Sequence, residues 1–212
     1  MYPHSDRQKS PDSPDYPGAP LKYLIMRPAY TDILLVIDMQ HDFVADDAPC
    51  RVAGAKATIP AIARALDSAR SRGWGVVHVI REHHHDGSDA ETIRRHLFDD
   101  GDGVCVAGTP GAGIVDELHP AASDYVVVKT RFDAFYATRL ELLLRCLGAE
   151  RLYIAGTQYP NCIRATAVGA LERDYDVTVL TDCCSAATPE VAESNIYDLR
   201  NMGIRCVPFP EL

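Results

Sequence analysis

One stretch decides the fold of this chain: it reads Leu152-Tyr-Ile-Ala-Gly-Thr-Gln-Tyr-Pro-Asn-Cys-Ile-Arg-Ala-Thr-Ala167. An apolar run stops at Gly156, residues 157–161 have the composition of a turn, and the small residues that follow suit a helix. Cys162 lies where that helix begins, beside backbone N–H groups that favour an anion. It is therefore either a nucleophile or a half-buried structural cysteine, and this stretch alone leaves both interpretations open.

The composition is typical of one globular domain. With 212 residues, 47% of them hydrophobic, the chain is long enough to bury a core. The formal net charge of −9 argues against a nucleic acid partner. The sequence contains neither a run of about 18 apolar residues nor a signal-peptide core, so we expect neither a membrane partner nor export. Seven cysteines without a CxxC pair predict reduced thiols. We expect a cytoplasmic protein.

The N-terminal region differs in composition from the rest. Residues 1–29 contain six prolines among Ser, Asp and Gly, a composition that builds no core and sustains no helix. We therefore expect an N-terminal arm over 1–29 and a single domain over 30–212. The apolar patch at 21–26 suits an arm that lies across a neighbouring subunit, and we expect a homo-oligomer.

From residue 32 onward, short apolar runs alternate with helical periodicity. Six apolar runs are predicted to be strands: 33–37, 76–80, 125–128, 152–155, 177–180 and 205–207. The segments between them are predicted to be helices over 57–72, 113–118, 139–147, 162–173 and 189–201. Because a parallel pair of strands needs a crossover long enough for a helix, the pattern predicts an α/β fold, a three-layer α/β/α sandwich with a mostly parallel six-stranded sheet.

Polar residues follow or end four of these apolar runs. Ligands bind beyond the carboxyl ends of strands in open parallel sheets, so we expect Asp38, Arg81, Lys129 and Cys162 at one edge. The ordinary alternatives are a capping carboxylate for Asp38 and a surface side chain for Lys129. Together the residues suit attack on an amide carbonyl, with a thiolate nucleophile, a carboxylate that moves protons and an ammonium that lowers the pKa of both.

Several segments together resemble the isochorismatase-like cysteine hydrolases. These segments are residues 37–43, 128–129, 135, 138–140, 155–166 and 176–182. The resemblance extends from residue 32 to about residue 207 in the same order. The superfamily includes nicotinamidases, carbamoylsarcosine and maleamate amidases, ureidoacrylate hydrolases and isochorismatases, so the motifs identify the superfamily and not the substrate.

The resemblance implies a catalytic triad of Asp38, Lys129 and Cys162. It also implies a cis peptide at Thr157–Gln158 and an oxyanion hole formed by the amides of Gln158 and Cys162. The implied activity is hydrolysis of the C–N bond of a small carboxamide or carbamoyl compound, through a thioester and with release of ammonia. Isochorismatases cleave a vinyl ether without a cysteine here, so Cys162 favours amide hydrolysis. Vinyl ether hydrolysis and a catalytically silent binding relative are the alternatives.

The loop after the second predicted strand is a candidate for metal or substrate binding. Nicotinamidases of the superfamily carry an Asp-x-His pair here, whereas this chain has Arg81-Glu82-His83. Three consecutive histidines, 83–85, cannot all face one ion from an extended strand, so we predict no metal. Arg81 and His83 are assigned to substrate binding, since a guanidinium suits a substrate carboxylate. The alternative for Arg81 is an ion pair with an acidic residue of the loop, Glu82, Asp86 or Asp89.

Aromatic residues near two strand ends are candidates for a pocket wall. They are Phe132, Phe135, Tyr136 and Tyr159. Of these, Phe135 and Tyr159 are assigned to substrate binding, with core filling as the alternative because aromatic side chains bury large areas wherever they lie. Neither GxGxxG nor GxxxxGK[ST] occurs, so the sequence predicts no nucleotide cofactor.

Overall fold

The computed structural model of the chain describes residues 29–101 and 103–209. Six strands occupy this region: β1 Asp32–Ile37, β2 Gly75–Arg81, β3 Tyr125–Lys129, β4 Arg151–Thr157, β5 Asp176–Ser185 and β6 Arg205–Val207. They form one sheet in the order β3-β2-β1-β4-β5-β6, and all neighbouring pairs are parallel. The predicted six-stranded parallel sheet is confirmed. The predicted arm over residues 1–29 lies outside the described residues, apart from Ala29.

The helices that cross between these strands largely follow the predicted pattern. Their bounds are α1 His41–Val44, α2 Ala55–Ser71, α3 Leu140–Leu147, α4 Arg164–Leu171 and α5 Pro189–Asn201. α3 ends at Gly148, which adopts the left-handed conformation that glycine tolerates best. No helix among the described residues is long and apolar enough to cross a membrane.

Two of the helix predictions need correction. The helix predicted over 113–118 is wrong, since Gly113 is extended and separates two single-turn 3₁₀ helices, Pro110–Ala112 and Asp116–Leu118. Neither segment is long enough to offset the free-energy cost of nucleating an α-helix. The helix predicted from residue 162 begins one turn earlier, as a π-helical turn over Tyr159–Ile163 that continues into α4.

Both faces of the sheet are covered, which gives the predicted three layers. Along β1, Ile33, Leu35 and Ile37 contribute to a core that includes residues of α3, α4 and α5. Leu34 and Val36 point to the opposite core, which α2 covers. Side chains of a strand alternate between faces, so a strand buried on both sides is apolar at every buried position, as β1 is from Ile33 to Ile37.

The carboxyl end of β4 approaches β1 more closely than a side chain would permit. Gly156 has φ +119°, and a Cβ at this position would lie 2.0 Å from the carbonyl oxygen of Ile37. The register between β4 and β5 also shifts between Ile154 and Gly156. Glycine at 156 therefore allows the turn that carries Cys162 to begin directly beside the end of β1.

Candidate active site

The ends of four adjacent strands bring the predicted polar residues together. Arg81 is the last residue of β2, Lys129 is the last residue of β3, and Asp38 directly follows β1. Asp38 has φ +53°, and its N–H donates to the carbonyl oxygen of Val79 on β2 at 2.8 Å. The fourth strand, β4, leads into the turn with Cys162. The strand order β3-β2-β1-β4 makes these four ends neighbours, as the rule for parallel sheets predicts.

Lys129 joins the predicted carboxylate and thiol. Its Nζ donates to Asp38 Oδ2 at 2.7 Å and lies 3.4 Å from Cys162 Sγ. All three side chains are buried, and Cys162 is 6% exposed. The second carboxylate oxygen, Asp38 Oδ1, is buried and has no hydrogen-bond partner among the described residues. The arrangement thus pairs a nucleophilic atom with an acceptor that has spare capacity.

The turn before Cys162 has the local conformation that the resemblance implies. The Thr157–Gln158 peptide bond is cis, which confirms that prediction. The carbonyl oxygen of Gln158 accepts the N–H groups of Asn161 and Ile163, at 3.2 and 3.3 Å. Within the described residues, the N–H of Gln158 has no protein acceptor. This N–H is therefore available to a ligand, and its role in an oxyanion hole stays a prediction.

Burial governs the protonation of the thiol. It raises the pKa of Cys162 to about 11, and the charge of Asp38 acts in the same direction. Lys129 and Arg81 oppose this rise but do not cancel it. The neighbouring ammonium does lower the pKa of the thiol, as expected, but the cost of desolvating a thiolate is larger and the pKa is raised overall. The thiol keeps its proton at neutral pH and needs an acceptor for it.

Arg81 lies beside the same sulfur and is 1% exposed. Its Nη1 donates to both carboxylate oxygens of Glu91 at 3.1 Å, and its Nη2 lies 3.8 Å from Cys162 Sγ. Burial disfavours its charge, but Asp38, Cys162 and Glu91 outweigh that cost and raise its pKa. The ion-pair partner is Glu91, ten residues along the chain, and not one of the three acidic residues predicted from the loop.

His83 forms a hydrogen bond with Arg81 and lies outside the cavity. Its Nε2 accepts from Arg81 Nη1 at 3.3 Å, and its Nδ1–H donates to Asp89 Oδ1 at 3.1 Å. Burial and the charge of Arg81 lower the pKa of His83, which favours the neutral ring. His83 does not line the cavity, so the structure places it one layer behind the predicted substrate site.

A cavity of about 230 Å³ opens onto Cys162. Asp38, Arg81 and Gln158 line it as predicted. Its wall also contains residues that the sequence analysis missed: Phe43, Pro49, Cys50, Arg51, Val52, Arg94, Thr157 and Asn161. Phe43, Thr157 and Asn161 belong to segments that carry the family resemblance, whereas the others come from segments distant in sequence that no periodicity or spacing marks.

The aromatic candidates divide differently from the prediction. Phe135 and Tyr159 are buried in the core and do not line the cavity, so their assignment to substrate binding is corrected. Tyr136 is exposed. The ring of Phe132 instead lies under two guanidinium groups, 5.4 Å from Cζ of Arg81 and 4.6 Å from Cζ of Arg94. Phe132 therefore helps to hold the two arginines in position.

The histidine run after β2 presents its side chains to different partners. His83 is buried and bonds to Asp89, whereas His84 is exposed and bonds to Asp86. Among the described residues, no group of three or more His, Cys, Asp or Glu side chains is arranged to hold a metal ion. The homo-oligomer expected from the sequence stays a prediction.

Residues 32–208 match the model of the Isochorismatase domain. The chain belongs to the isochorismatase family. A solved structure of an isochorismatase family protein from Desulfovibrio vulgaris is 59% identical and superposes with a TM-score of 0.83, covering 84% of this chain and 94% of that one. The likeness therefore extends over most of both chains.

Curated relatives carry names of amide-cleaving enzymes. A probable inactive nicotinamidase of Arabidopsis thaliana is 46% identical over 81% of this chain and 89% of its own length. A maleamate amidohydrolase of Pseudomonas putida is 31% identical, over 78% of each chain. The isochorismatase family thus includes hydrolases that act on small amides. Because one close relative is named inactive, activity in this chain must be argued from its own residues.

Proposed function

We propose that this isochorismatase-family protein is a cysteine-dependent amidohydrolase. It cleaves the C–N bond of a small carboxamide or carbamoyl compound and releases ammonia. One observation supports the proposal: Cys162 and Asp38 line one cavity, and the ammonium of Lys129 contacts both the sulfur and the carboxylate. Nucleophilic catalysis needs a nucleophile, an adjacent base and a group that orients the base, and these residues supply all three.

The first half of the reaction forms a thioester. Asp38 takes the thiol proton as the sulfur of Cys162 attacks the amide carbon, because the raised pKa of the thiol makes a separate base necessary. The negative charge that develops on the carbonyl oxygen is stabilised by the N–H groups of Gln158 and Cys162. Asp38 then passes the proton to the departing nitrogen, the C–N bond breaks, and ammonia leaves.

The second half of the reaction restores the thiol. Water attacks the thioester carbon, Asp38 accepts its proton, and the C–S bond breaks. The proton then passes to the sulfur, and the carboxylic or carbamic acid leaves. Lys129 compensates the charge of Asp38 across its 2.7 Å contact. Microscopic reversibility allows the same carboxylate to serve both halves.

An ammonia-release screen tests the proposal. The substrates are nicotinamide, maleamate, N-carbamoyl amino acids and ureidoacrylate, and Cys162→Ala is measured beside the unmodified protein. Cys206→Ala is the matched control, since Cys206 is a buried cysteine of β6 remote from the cavity. We expect ammonia from at least one amide with the unmodified protein and the control, and none above background with Cys162→Ala.

Two results would contradict this mechanism. Ammonia release or vinyl ether cleavage that survives in Cys162→Ala would show that the sulfur is not the nucleophile. The absence of turnover on every substrate, together with failure of Cys162 to react with a thiol alkylator, would favour a binding protein. Mass spectrometry of the protein quenched during turnover provides a direct readout, because the thioester adds the mass of the acyl group to the peptide that contains Cys162.

A further inference from the structure

The guanidinium of Arg81 uses one side for the protein and leaves another side open. Nη1 is used by the protein: it donates to Glu91 at 3.1 Å, to the carbonyl oxygen of Thr130 at 3.3 Å and to Nε2 of His83 at 3.3 Å. Within residues 29–101 and 103–209, the buried Nε has no hydrogen-bond partner, and Nη2 approaches only Cys162 Sγ, at 3.8 Å. Nε–H and Nη2–H form one edge of the planar group, the edge that binds a carboxylate side-on.

A buried donor without an acceptor is costly and uncommon in folded proteins. Leaving such a group unpaired costs about 1–3 kcal/mol. Arg81 lines the cavity that holds Cys162, so an acceptor on a bound molecule would satisfy the open edge. The unpaired acceptor at Asp38 Oδ1 is explained by the thiol proton, but nothing in the protein explains the unpaired donor at Arg81.

We propose that the substrate carries a carboxylate close to the scissile amide and that the Nε/Nη2 edge of Arg81 binds it. This inference rests on the proposed function and adds a substrate class to it. Two parallel N–H···O bonds to a carboxylate are among the stronger and more directional contacts a protein makes. Since Nη2 lies 3.8 Å from the attacking sulfur, the carboxylate and the amide carbon must be near each other in the same small molecule.

The charges around the cavity favour a monoanion. Asp38 pairs with Lys129 and Glu91 pairs with Arg81, so these two pairs balance while the thiol is neutral. Arg94 also lines the cavity and stacks on Phe132, and within the described residues no carboxylate lies within 4 Å of its guanidinium. The remaining arginine of the wall, Arg51, pairs with Asp46 at 3.5 Å, so Arg94 is the cation left to balance one bound carboxylate.

The size of the cavity narrows the class of substrate further. About 230 Å³ is less than the roughly 300 Å³ at which pockets for drug-sized ligands begin. A carboxylate three bonds from the amide carbon fits such a space. This spacing occurs in monoamides of short dicarboxylic acids and in N-carbamoyl amino acids. Succinamate represents the monoamides and N-carbamoylglycine represents the N-carbamoyl amino acids. Succinamide is the neutral isostere of succinamate.

Calorimetric titration of Cys162→Ala tests the recognition without any turnover. We expect succinamate or N-carbamoylglycine to bind about 10- to 100-fold more tightly than succinamide, the range that charged hydrogen bonds provide. In the double variant Arg81→Lys/Cys162→Ala, the preference should fall to a few-fold, because lysine keeps the charge but lacks the planar edge. Equal binding of the anionic and neutral compounds by Cys162→Ala would overturn the inference.

Steady-state kinetics distinguish recognition of the substrate carboxylate by Arg81 from a direct effect of Arg81 on the attacking sulfur. We expect Arg81→Lys to reduce the ratio of kcat/KM between succinamate and succinamide, mainly through KM of succinamate. An equal loss on both substrates would mean that Arg81 acts on the thiol or the oxyanion, and the inference would be wrong. Arg94→Gln, at a half-buried position of the cavity wall, should reduce kcat/KM for succinamate about 3- to 10-fold more than kcat/KM for succinamide.

The two proposals fail in different ways. Hydrolysis of succinamide and succinamate at equal rates would leave the proposed function intact and remove the inference. Tight, Arg81-dependent binding of succinamate without ammonia release would retain the inference and remove the proposed function. Comparison of the succinamate and N-carbamoylglycine titrations identifies which source of the carboxylate fits better.

Discussion

Strand β1 carries an aspartate at each end, and the two aspartates have very different surroundings. Asp32, at the start of the strand, accepts two hydrogen bonds from Arg151 at 2.6 and 2.7 Å and one from the hydroxyl of Tyr153 at 3.0 Å. Asp38, just past the end of the strand, is fully buried, and in the part of the chain that the structure describes only one of its oxygens is bonded, by Lys129. The aspartate that loses more hydration thus receives fewer partners.

This difference distinguishes an ion pair that stabilises the fold from one that is placed for catalysis. A carboxylate whose oxygens are all satisfied contributes to stability and has no capacity left for a ligand. A buried carboxylate with a free oxygen beside a cysteine is costly to the fold, a cost typical of functional sites. Unpaired atoms, more than the presence of charge, therefore mark the carboxyl edge of the sheet as the site of chemistry.

The largest expected effect is on turnover. Asp38→Asn removes the proton acceptor, and general acid–base catalysis contributes about 10²- to 10⁴-fold, so kcat/KM should fall by that factor. Asp32→Asn is the matched control and should leave kcat/KM per folded molecule within about twofold, because Asp32 lies at the opposite edge. Ammonia release on the best amide from the screen provides the measurement. Comparable losses in both variants would remove the distinction between the two ends.

The next effect concerns stability. Lys129→Met leaves the buried charge of Asp38 without its contact partner, and breaking a buried pair costs about 3–5 kcal/mol. Arg151→Met breaks a pair in which the arginine side chain is 42% exposed, so we expect a much smaller loss. Urea denaturation of both variants measures the two free energies of unfolding. Adding Asp38→Asn to Lys129→Met should restore part of the loss, and no recovery would contradict the charge argument.

The raised pKa of Cys162 predicts a loss of stability at alkaline pH. An ordinary thiol has a pKa of about 8.5, and the folded value is about 11. Between these values the unfolded chain releases the proton and the folded chain keeps it, so the contribution is complete below about pH 8.5 and falls as pH rises towards 11. The unmodified protein should lose about 3 kcal/mol relative to Cys162→Ala over this window. A constant difference in unfolding free energy would contradict the prediction.

The alkylation rate of Cys162 checks the same pKa independently. Because the thiolate is the reactive form, the rate should rise about tenfold per pH unit between pH 7 and 10. Peptide-resolved mass spectrometry after brief exposure to iodoacetamide distinguishes Cys162 from the other cysteines. A rate that is flat over this range would show a preformed thiolate, and Asp38 would then not be needed to remove the proton from the thiol.

The smallest effect belongs to Asp32. Hydrogen bonds from Arg151 lower the pKa of Asp32, more than burial raises it. Its contribution is therefore present above the ordinary pKa of about 3.9 and is lost as pH falls below it. Asp32→Asn should cost about 1 kcal/mol at pH 7 and less at pH 3, as measured by urea denaturation. Asp67→Asn, on a side chain that is 85% exposed, should leave stability unchanged at both pH values.

The elements that were predicted well are those whose cause is local. β1 and β6 agree with their apolar runs to within one residue, and α5 starts at Pro189 and ends at Asn201 as predicted. The failures lie where glycine and proline interrupt the pattern, at residues 113–118 and at the turn before Cys162. There the backbone follows hydrogen bonds to neighbouring segments, which no periodicity in the sequence records.

The candidate site divides in the same way. Asp38, Lys129 and Cys162 were found because each follows or ends an apolar run, and parallel topology then brings such residues together. Glu91 and Arg94 were missed because they belong to a loop that folds back over the strand ends. The net direction of the pKa shift of Cys162 was also missed, since desolvation sums over all the atoms packed around the sulfur.

By itself, the sequence determined the alternation of strands and helices and the chemical identity of the residues at the strand ends. Hydrophobic periodicity and turn residues act over a few neighbouring positions, and they are legible without a structure. Only the tertiary structure decided which polar atoms stay unpaired. Whether Asp38 Oδ1 and Arg81 Nε have partners depends on side chains from distant segments, and hydrogen bonding, burial and charge balance exist only once those segments have packed.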